Sequence, residues 1–486
     1  MVNRLKVRKF AIANKHRPPK REKRPAGHRS AHEHNHMNAE TYEQIIAFLR
    51  DVTTDSPWQG HVYAVGGCCR DLLMGREIND IDLAVDLPNG GVKLALWLDE
   101  QGLTEGYPTL FERYGTARLR LRDYPDYEIE MVQTRRAKYT EESIENGPEA
   151  VFGTVADDAM RRDLTVNSLF YDITRGEMLD ITGHGIDDIR NKRLATPMSA
   201  DDTFADDPVR MLRVVRMAAA FGWDIPKELN DAISENAELL KTVHVERSRA
   251  EFEKMITGPA PMKALRAMRH SGLLRALSSE LERLTFRTVA RRLNISQKGT
   301  STPWHRAEDA LQKGAPIGQP EVAWAVLLTQ LFWEEEATRA LKKDKPEKKE
   351  KKAKEEPKTG ARGRRRKPFR ELPVYERILR RLHHHSKFIN AVGMLVENAR
   401  LAERLSRGDK RSNKRRNRLI RSICANDDRR AMLRTFLPMV PVLDTNITAA
   451  ATEAAIAALD RSEDRPESPT TEATTAADVA NEGKKC

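Results

Sequence analysis

Residues 65–86 read VGGCCRDLLMGREINDIDLAVD, and the interpretation of the whole chain starts from them. An apolar run ends at Gly66 and Gly67, and a short helix-like segment with Arg70 and Asp71 follows. Free N–H groups at the start of such a helix can hold a phosphate. A Gly-Gly turn before a helix is also a common structural feature. The element that follows therefore decides between a phosphate-binding turn and an ordinary one.

That element is the alternation around Asp80 and Asp82, which is typical of a strand. Residues two apart in a strand point to the same face, so the two carboxylates project together. Such a pair is stable mainly with a hard divalent cation between its members, and Mg²⁺ prefers oxygen ligands of this kind. A polar strand edge is the simpler alternative. A phosphate-binding turn at Gly66 and Gly67, followed by the carboxylate pair, predicts phosphoryl or nucleotidyl transfer.

Composition points to a partner that carries phosphate groups. The chain has 486 residues with a formal net charge of +12 and a pI of about 9.4, which favours a nucleic-acid backbone as a partner. Its four cysteines have no metal-ligand spacing, which favours a reducing cytoplasm. The sequence contains no apolar run of the roughly 18 residues that a membrane span needs. The basic start lacks the apolar core of a secretory signal.

The segment up to about residue 180 predicts a mixed α/β domain with a small, largely antiparallel sheet. Helices are expected over residues 39–55 and 92–102, and strands over residues 116–121 and 127–132. In the last strand Glu128 and Glu130 share one face, unless both simply face solvent. We prefer Glu130 as a third acidic ligand beside Asp80 and Asp82, because it lies nearer the strand centre.

Residues 161–169 read RRDLTVNSL and combine apolar anchors with a polar cluster. The planar fork of Arg162 suits a phosphate, and Asp163 and Asn167 could accept from and donate to a ribose. A salt-bridged surface helix would be the alternative if this segment stood alone.

A further helix is predicted to open within residues 206–216, DDPVRMLRVVR. Asp207 is expected as its N-cap, with Pro208 in the first helical position. The side chains of Asp207 and Arg210 lie three residues apart and could meet. A cationic stripe is formed by Arg210, Arg213 and Arg216. Capping with i,i+3 pairing explains this segment equally well when it is taken alone.

In this order, the motifs resemble those of class II tRNA nucleotidyltransferases and bacterial poly(A) polymerases over roughly residues 40–280. Three patterns carry the resemblance: G-G-x-x-R-D with D-x-D, R-R-D-x-T-x-N, and E-D-P-x-R-x-L-R-x-x-R. They correspond here to residues 66–71 with 80–82, to residues 161–167 and to residues 206–216. The third departs from the family, because Asp206 stands where the glutamate is usual.

The resemblance implies an α+β fold, with a polymerase-β-like nucleotidyltransferase head followed by an all-helical neck, body and tail. It implies that Asp80 and Asp82 hold Mg²⁺ and that an RNA 3′-hydroxyl attacks the α-phosphate of the incoming nucleotide. Asp207 and Arg210 would then select C and A by hydrogen bonds to the base edge. The other nucleotide-binding residues implied are Gly66, Gly67, Arg70, Arg162, Asp163, Asn167, Arg213 and Arg216.

The expected domain organisation has seven parts. Residues 1–37 are a basic disordered tail, 38–180 the head, 181–245 the neck with the base-selecting helix, and 246–340 an RNA-binding helical body. A charged linker (341–370), a helical C-terminal region (371–445) and a disordered tail (446–486) complete the chain.

The leading hypothesis is a template-independent nucleotidyltransferase that uses CTP and ATP to complete the CCA end of tRNA. A poly(A) polymerase and a non-catalytic RNA-binding protein are the alternatives. The pair Asp80 and Asp82 argues against the second of these, since a pure binding module has no need of adjacent metal carboxylates. The oligomeric state, and whether C, A or both are added, do not follow from the sequence.

Overall fold

The architecture is described from a computed structural model of the protein. It describes residues 3–5, 37–136, 151–282, 303–343, 371–400, 426–444 and 446–460. The chain divides into two compact units, Met1–Arg283 and Leu284–Cys486. None of the helices in these ranges combines the length and the apolar character needed to span a bilayer.

The first unit is built on a sheet whose described strands number eight. The strands are β1 (Asn3–Leu5), β2 (Val62–Val65), β3 (Ile81–Val85), β4 (Thr109–Phe111), β5 (Thr116–Leu121), β6 (Tyr124–Gln133), β7 (Leu169–Asp172) and β8 (Glu177–Asp180). Their order in the sheet is β1-β8-β7-β2-β3-β6-β5-β4. Strands β3 and β6 run parallel, and all other neighbouring pairs are antiparallel.

Alternation along the strands divides the sheet into two different faces. One face packs Ile81, Leu83 and Ile129 into the main core with the apolar sides of α1 (Ala39–Thr53) and α3 (Gly90–Glu100). The opposite face carries a smaller cluster that includes Ala84 and Phe170, covered by α4 (Val155–Met160). Since residue 82 alternates with 81 and 83, its side chain leaves the main core and points to this second face.

The helices after β8 continue the first unit. The two longest of them are α7 (Val209–Phe221) and α9 (Val245–Thr257). Helix α7 buries Met211, Leu212 and Val215 and packs against α9 and against α10 (Pro261–His270). The others after β8 are α5 (Gly185–Arg190), α6 (Ala200–Asp206), α8 (Lys227–Asn236), α11 (Leu273–Leu277) and α12 (Ser279–Glu282), and α2 (Gly67–Met74) lies between β2 and β3.

The second unit is helical in its described residues. Its core includes the fully buried Trp304 and Trp324. The ring of His384 stacks on Phe388, with 4.1 Å between ring centroids, and His385 caps the helix that follows. The helices are α13 (Pro303–Gly314), α14 (Pro320–Lys343), α15 (Val374–Arg381), α16 (Ser386–Glu397), α17 (Asp427–Phe436), α18 (Val440–Leu443) and α19 (Ala449–Asp460).

The predicted α+β class, with a mixed sheet followed by helices, is confirmed. Three details differ from the sequence expectations. Asn3–Leu5, within the expected disordered tail, pairs with β8. Ala449–Asp460, within the expected terminal tail, forms a helix that buries Leu459. The chain divides after Arg283, inside the expected body. Most of the charged segment 341–370 lies outside the described residues.

Candidate active site

The turn between β2 and α2 brings backbone N–H groups to the edge of a cavity. Gly66 adopts φ +75° and ψ −125°, a conformation that side chains disfavour. A Cβ atom there would lie 3.1 Å from an Nη atom of Arg162. Gly66 therefore permits both the turn and the close approach of that guanidinium, and the α2 N-terminus is left open toward the cavity.

Arg70 projects from the first turn of α2 and is held on three sides. Its guanidinium forms a two-point pair with Asp71 at 3.0 and 2.7 Å and donates to Oδ1 of Asn167 at 2.6 Å. It also lies over the Phe221 ring, 5.0 Å from the centroid. These contacts fix a cation beside the turn, where a phosphate oxygen could reach it.

Asp80 and Asp82 flank the first residue of β3. Asp80 is exposed and Asp82 is partly buried. In the parallel ladder the Cα of Asp82 is registered with that of Glu130 on β6. Burial, with the neighbouring charge of Glu130, raises the pKa of Asp82 to about 6, although Arg162 acts in the opposite direction. Negative charge is therefore concentrated at this point without full compensation.

These residues fit a hard divalent cation as a two-carboxylate site. Within the described ranges, neither Asp80 nor Asp82 forms an ion pair with a basic side chain, and no three His, Cys, Asp or Glu side chains converge on a preassembled metal site. Glu130 is instead paired with Arg118 at 2.9 Å. Two free carboxylates offer the oxygen donors that Mg²⁺ prefers, and the glutamate lies beside them.

The segment before β7 holds its polar side chains by buried hydrogen bonds. Asp158 of α4 binds Arg162 at 2.7 Å and Arg161 at 3.1 Å. Burial opposes ionisation of Asp158, but the two guanidinium groups outweigh it and lower its pKa. Arg162 also donates to the backbone carbonyl of Asn167 at 3.3 Å. The two arginines are thereby fixed at the cavity wall.

Asp163 joins this segment to the helical region. It accepts from the side-chain amide of Asn167 at 2.9 Å and from Nε of Arg213 at 2.5 Å. Burial would raise the pKa of Asp163, but Arg213 and the hydrogen bonds from Asn167 and the Leu164 backbone lower it to about 2. Asp163 is therefore ionised throughout the physiological range and positions both partners.

At the start of α7 the expected contact between Asp207 and Arg210 is replaced by two others. Arg210 pairs with Asp206 at 2.6 Å and donates to the Thr203 carbonyl at 3.1 Å. Asp207 pairs with Arg247 of α9 at 2.6 Å. Its other oxygen accepts from the Val209 N–H at 3.2 Å. The helix begins one residue later than predicted, with Pro208 rather than Asp207 as its N-cap. The two candidate base-selecting groups are thus each held by a separate partner.

The predicted arginine stripe is compensated by acids from other elements. Arg213 pairs with Asp163, as described, and Arg216 pairs with Glu251 of α9 at 2.6 Å. Burial works against ionisation of Glu251, but Arg216 and Lys254 outweigh it and lower its pKa. The stripe is held rigidly along one side of the cavity.

These elements surround one cavity of about 800 Å³, a size that suits a nucleotide. Every predicted site residue except Glu130 lines it. Among the acids of the lining, each one apart from Asp80 and Asp82 is ion-paired within the described chain. Its other charged residues include Arg135, Asp158, Arg161, Arg247, Glu251 and Lys254.

The sequence reasoning missed several of these residues as site members. Asp158 precedes Arg161 and Arg162 by three and four residues, so helical spacing could have revealed it. Arg247 and Glu251 lie 40 and 35 residues from their partners. No local pattern predicts such pairs, because the packing of α9 on α7 creates them.

Comparison with known proteins agrees with these motifs. Residues 62–195 match the poly A polymerase head domain, and residues 222–284 match a segment described as the probable RNA and SrmB-binding site of polymerase A. The chain is 33% identical to the mitochondrial CCA tRNA nucleotidyltransferase of Saccharomyces cerevisiae over 234 residues, and 34% identical to the CCA-adding enzyme of Bacillus pumilus over 207 residues. Over these segments the chain is similar to class II tRNA nucleotidyltransferases and poly(A) polymerases.

The match to these family members is partial in length. It involves 43% of this chain and 40% of the yeast protein, and 42% of this chain and 48% of the Bacillus protein. The chain thus spans less than half the length of either relative.

Solved structures of the family share the fold over most of the chain. A CCA-adding enzyme in complex with ATP has a TM-score of 0.55 at 18% identity and covers 91% of this chain and 89% of its own. The Bacillus stearothermophilus CCA-adding enzyme in complex with CTP has a TM-score of 0.54 at 20% identity, with coverages of 87% and 82%. At this level of identity the likeness is one of fold.

Proposed function

We propose that this protein belongs to the family it resembles and adds C and A from CTP and ATP to the 3′ end of tRNA, with release of pyrophosphate. One observation carries the proposal. A single cavity unites Asp80 and Asp82, which have no basic partner among the described residues, an arginine-rich wall and the start of α7 with Asp207 and Arg210. The relatives named as CCA-adding enzymes support the same reaction class.

In the proposed reaction, residues around the cavity bind the triphosphate and select the base. Arg70, Arg162 and the open N-terminus of α2 bind the triphosphate. Asp207 accepts from an exocyclic amine and Arg210 donates to ring acceptors, so C and A fit where U and G do not. The 3′-hydroxyl of the RNA gives up its proton to solvent water, its oxygen bonds to the α-phosphorus, and the bond from that phosphorus to pyrophosphate breaks.

Asp80 and Asp82, with Glu130 beside them, are the groups that would hold Mg²⁺. When bound, the cation supplies a lowered pKa for the hydroxyl and neutralises charge on the phosphate. Asp206 in place of the family's glutamate still reaches Arg210 at 2.6 Å, so it can orient that guanidinium. The free, buried thiols of Cys68 and Cys69 support a reducing compartment, for which we propose the cytoplasm.

The deciding experiment supplies purified protein with Mg²⁺, a tRNA that ends before CCA, and one labelled nucleotide at a time. Addition of C and A that stops after the CCA end is complete supports the proposal. Long A tails on unrelated RNA would show a poly(A) polymerase instead. Binding of RNA without incorporation of any nucleotide would show a non-catalytic binding protein.

A further inference from the structure

The sheet places the nucleotide-binding groups on only one side of the carboxylate pair. Gly66 follows β2, and Arg162 and Asn167 precede β7. In the sheet order, β2 and β7 both lie on one side of β3. A triphosphate held by these groups therefore extends from Asp80 and Asp82 toward β2 and β7.

In-line displacement then fixes where the RNA must lie. The attacking and leaving oxygens stand on opposite sides of the phosphorus. Since pyrophosphate leaves on the β2 and β7 side, the RNA 3′-hydroxyl has to arrive from the other side of β3. The strands on that side are β6, β5 and β4.

The surface on that side forms a continuous row of side chains. The register aligns Asp82 with Glu130, Glu130 with Arg118, and Arg118 with Thr109. Phe111 lies two residues after Thr109 on the edge strand β4, so it shares the same face. The row thus leads from the carboxylates to an exposed aromatic ring.

Phe111 and Arg118 form a flat, partly exposed pair at the end of this row. The Arg118 guanidinium lies over the Phe111 ring, 5.7 Å from its centroid. Its Nε donates a hydrogen bond to a carboxylate oxygen of Glu130 at 3.0 Å, which fixes its position. Phe111 is 39% exposed and the Arg118 side chain is 47% exposed. An exposed phenylalanine beside a fixed guanidinium is a surface on which an unpaired base can stack.

We infer that the Phe111–Arg118 pair is the docking surface for the unpaired 3′-terminal base of the RNA substrate. This rests on the proposed function, because the nucleotide side of the site sets the direction of approach. Stacking supplies affinity without a requirement for one particular base, which suits an end that changes identity as nucleotides are added. The positive charge of Arg118 complements the adjoining RNA phosphate.

The test uses the full chain and a short RNA that ends in 2-aminopurine, whose fluorescence is quenched when it stacks. We expect quenching with the wild type and with Phe111→Tyr, which keeps an aromatic ring. Phe111→Leu keeps apolar bulk without the ring, and should lose the quenching and raise the KM for RNA about tenfold, with the KM for CTP unchanged. Leu73→Ala is the control, since Leu73 is similarly exposed at 38% but lies outside this row.

Each outcome is decisive for one of the two proposals. Equal quenching in the Leu and Tyr variants would overturn the docking surface, whether or not nucleotides are incorporated. Ring-dependent quenching by a protein that incorporates no nucleotide would reject the proposed function and retain the RNA-end site.

Discussion

The carboxylate of Asp163 accepts a hydrogen bond from Nε of Arg213 at 2.5 Å, and this contact joins the segment before β7 to helix α7. The Asp163 side chain is only 5% exposed, so the carboxylate is shielded from solvent, whereas the Arg213 side chain is 37% exposed. The same aspartate orients Asn167 at 2.9 Å. One buried anion therefore connects the segment before β7 with helix α7.

This relationship predicts a pH-dependent loss of stability in Asp163→Asn. The pKa of Asp163 is lowered to about 2, below its ordinary value of roughly 3.9. Its stabilisation is therefore complete above that ordinary value and disappears as the pH falls toward 2. We expect the variant to lose about 2 kcal/mol of unfolding free energy at pH 7, and the difference from wild type to shrink below pH 4.

Urea unfolding at several pH values measures this difference. The control is Asp187→Asn, which breaks the exposed pair with Arg190 and should change stability by less than about 0.5 kcal/mol. A loss in Asp163→Asn that is the same at pH 7 and pH 3 would contradict the role of its ionised form.

The carboxylates of Asp80 and Asp82 should be required for turnover but not for folding. Asp80→Asn and Asp82→Asn are each expected to lower incorporation about a thousandfold, since metal-assisted charge stabilisation is worth several kcal/mol. RNA affinity should stay near wild type, because neither residue is assigned an RNA contact. Asp86→Asn, in the same segment but outside the cavity lining, is the matched control and should keep full activity. Undiminished turnover in Asp82→Asn would refute the metal-site assignment.

Asp206 should govern the choice of base through Arg210. Asp206→Ala leaves Arg210 with the Thr203 carbonyl alone, so its guanidinium is less firmly oriented. We expect discrimination of CTP and ATP against UTP and GTP to fall about tenfold, measured as the ratio of kcat/KM values. Asp206→Glu restores the family residue and should preserve discrimination. Asp202→Ala, on the same helix α6, serves as the control. An unchanged ratio in Asp206→Ala would show that the Thr203 carbonyl alone orients Arg210.

Two glycines at opposite ends of α2 separate backbone strain from site geometry. Gly66 and Gly75 both have positive φ, at +75° and +63°, so alanine at either should cost about 1 kcal/mol or more of stability. Only at Gly66 would the added Cβ meet Arg162 at 3.1 Å; Gly75 has nothing within 4 Å. We expect Gly66→Ala to raise the KM for CTP severalfold and Gly75→Ala to leave it unchanged. Equal KM values for CTP in the two variants would contradict a role of the Gly66 turn in phosphate binding.

Much of the first unit can be predicted from sequence because its signals are local. The strand over Thr116–Leu121 has its predicted bounds, and the predicted strand around Glu130 lies within Tyr124–Gln133. Alternation with period two and helical spacing reveal these elements directly. The helix Ala449–Asp460 was missed because alanine-rich sequence next to a polar tail has little periodic contrast, and burial of Leu459 depends on packing.

The sequence by itself determined the candidate reaction class, because the Gly-Gly turn, the carboxylates of Asp80 and Asp82, and the arginine motifs are each short segments. Only the tertiary structure decided how those groups are held. It replaced the expected Asp207–Arg210 contact with Asp207–Arg247 and Asp206–Arg210, and it left Asp80 and Asp82 without basic partners in the described chain. The physical reason is that ion-pair choice depends on which charged side chains folding brings within about 3 Å of each other. Partners 35 to 50 residues apart along the chain leave no local pattern.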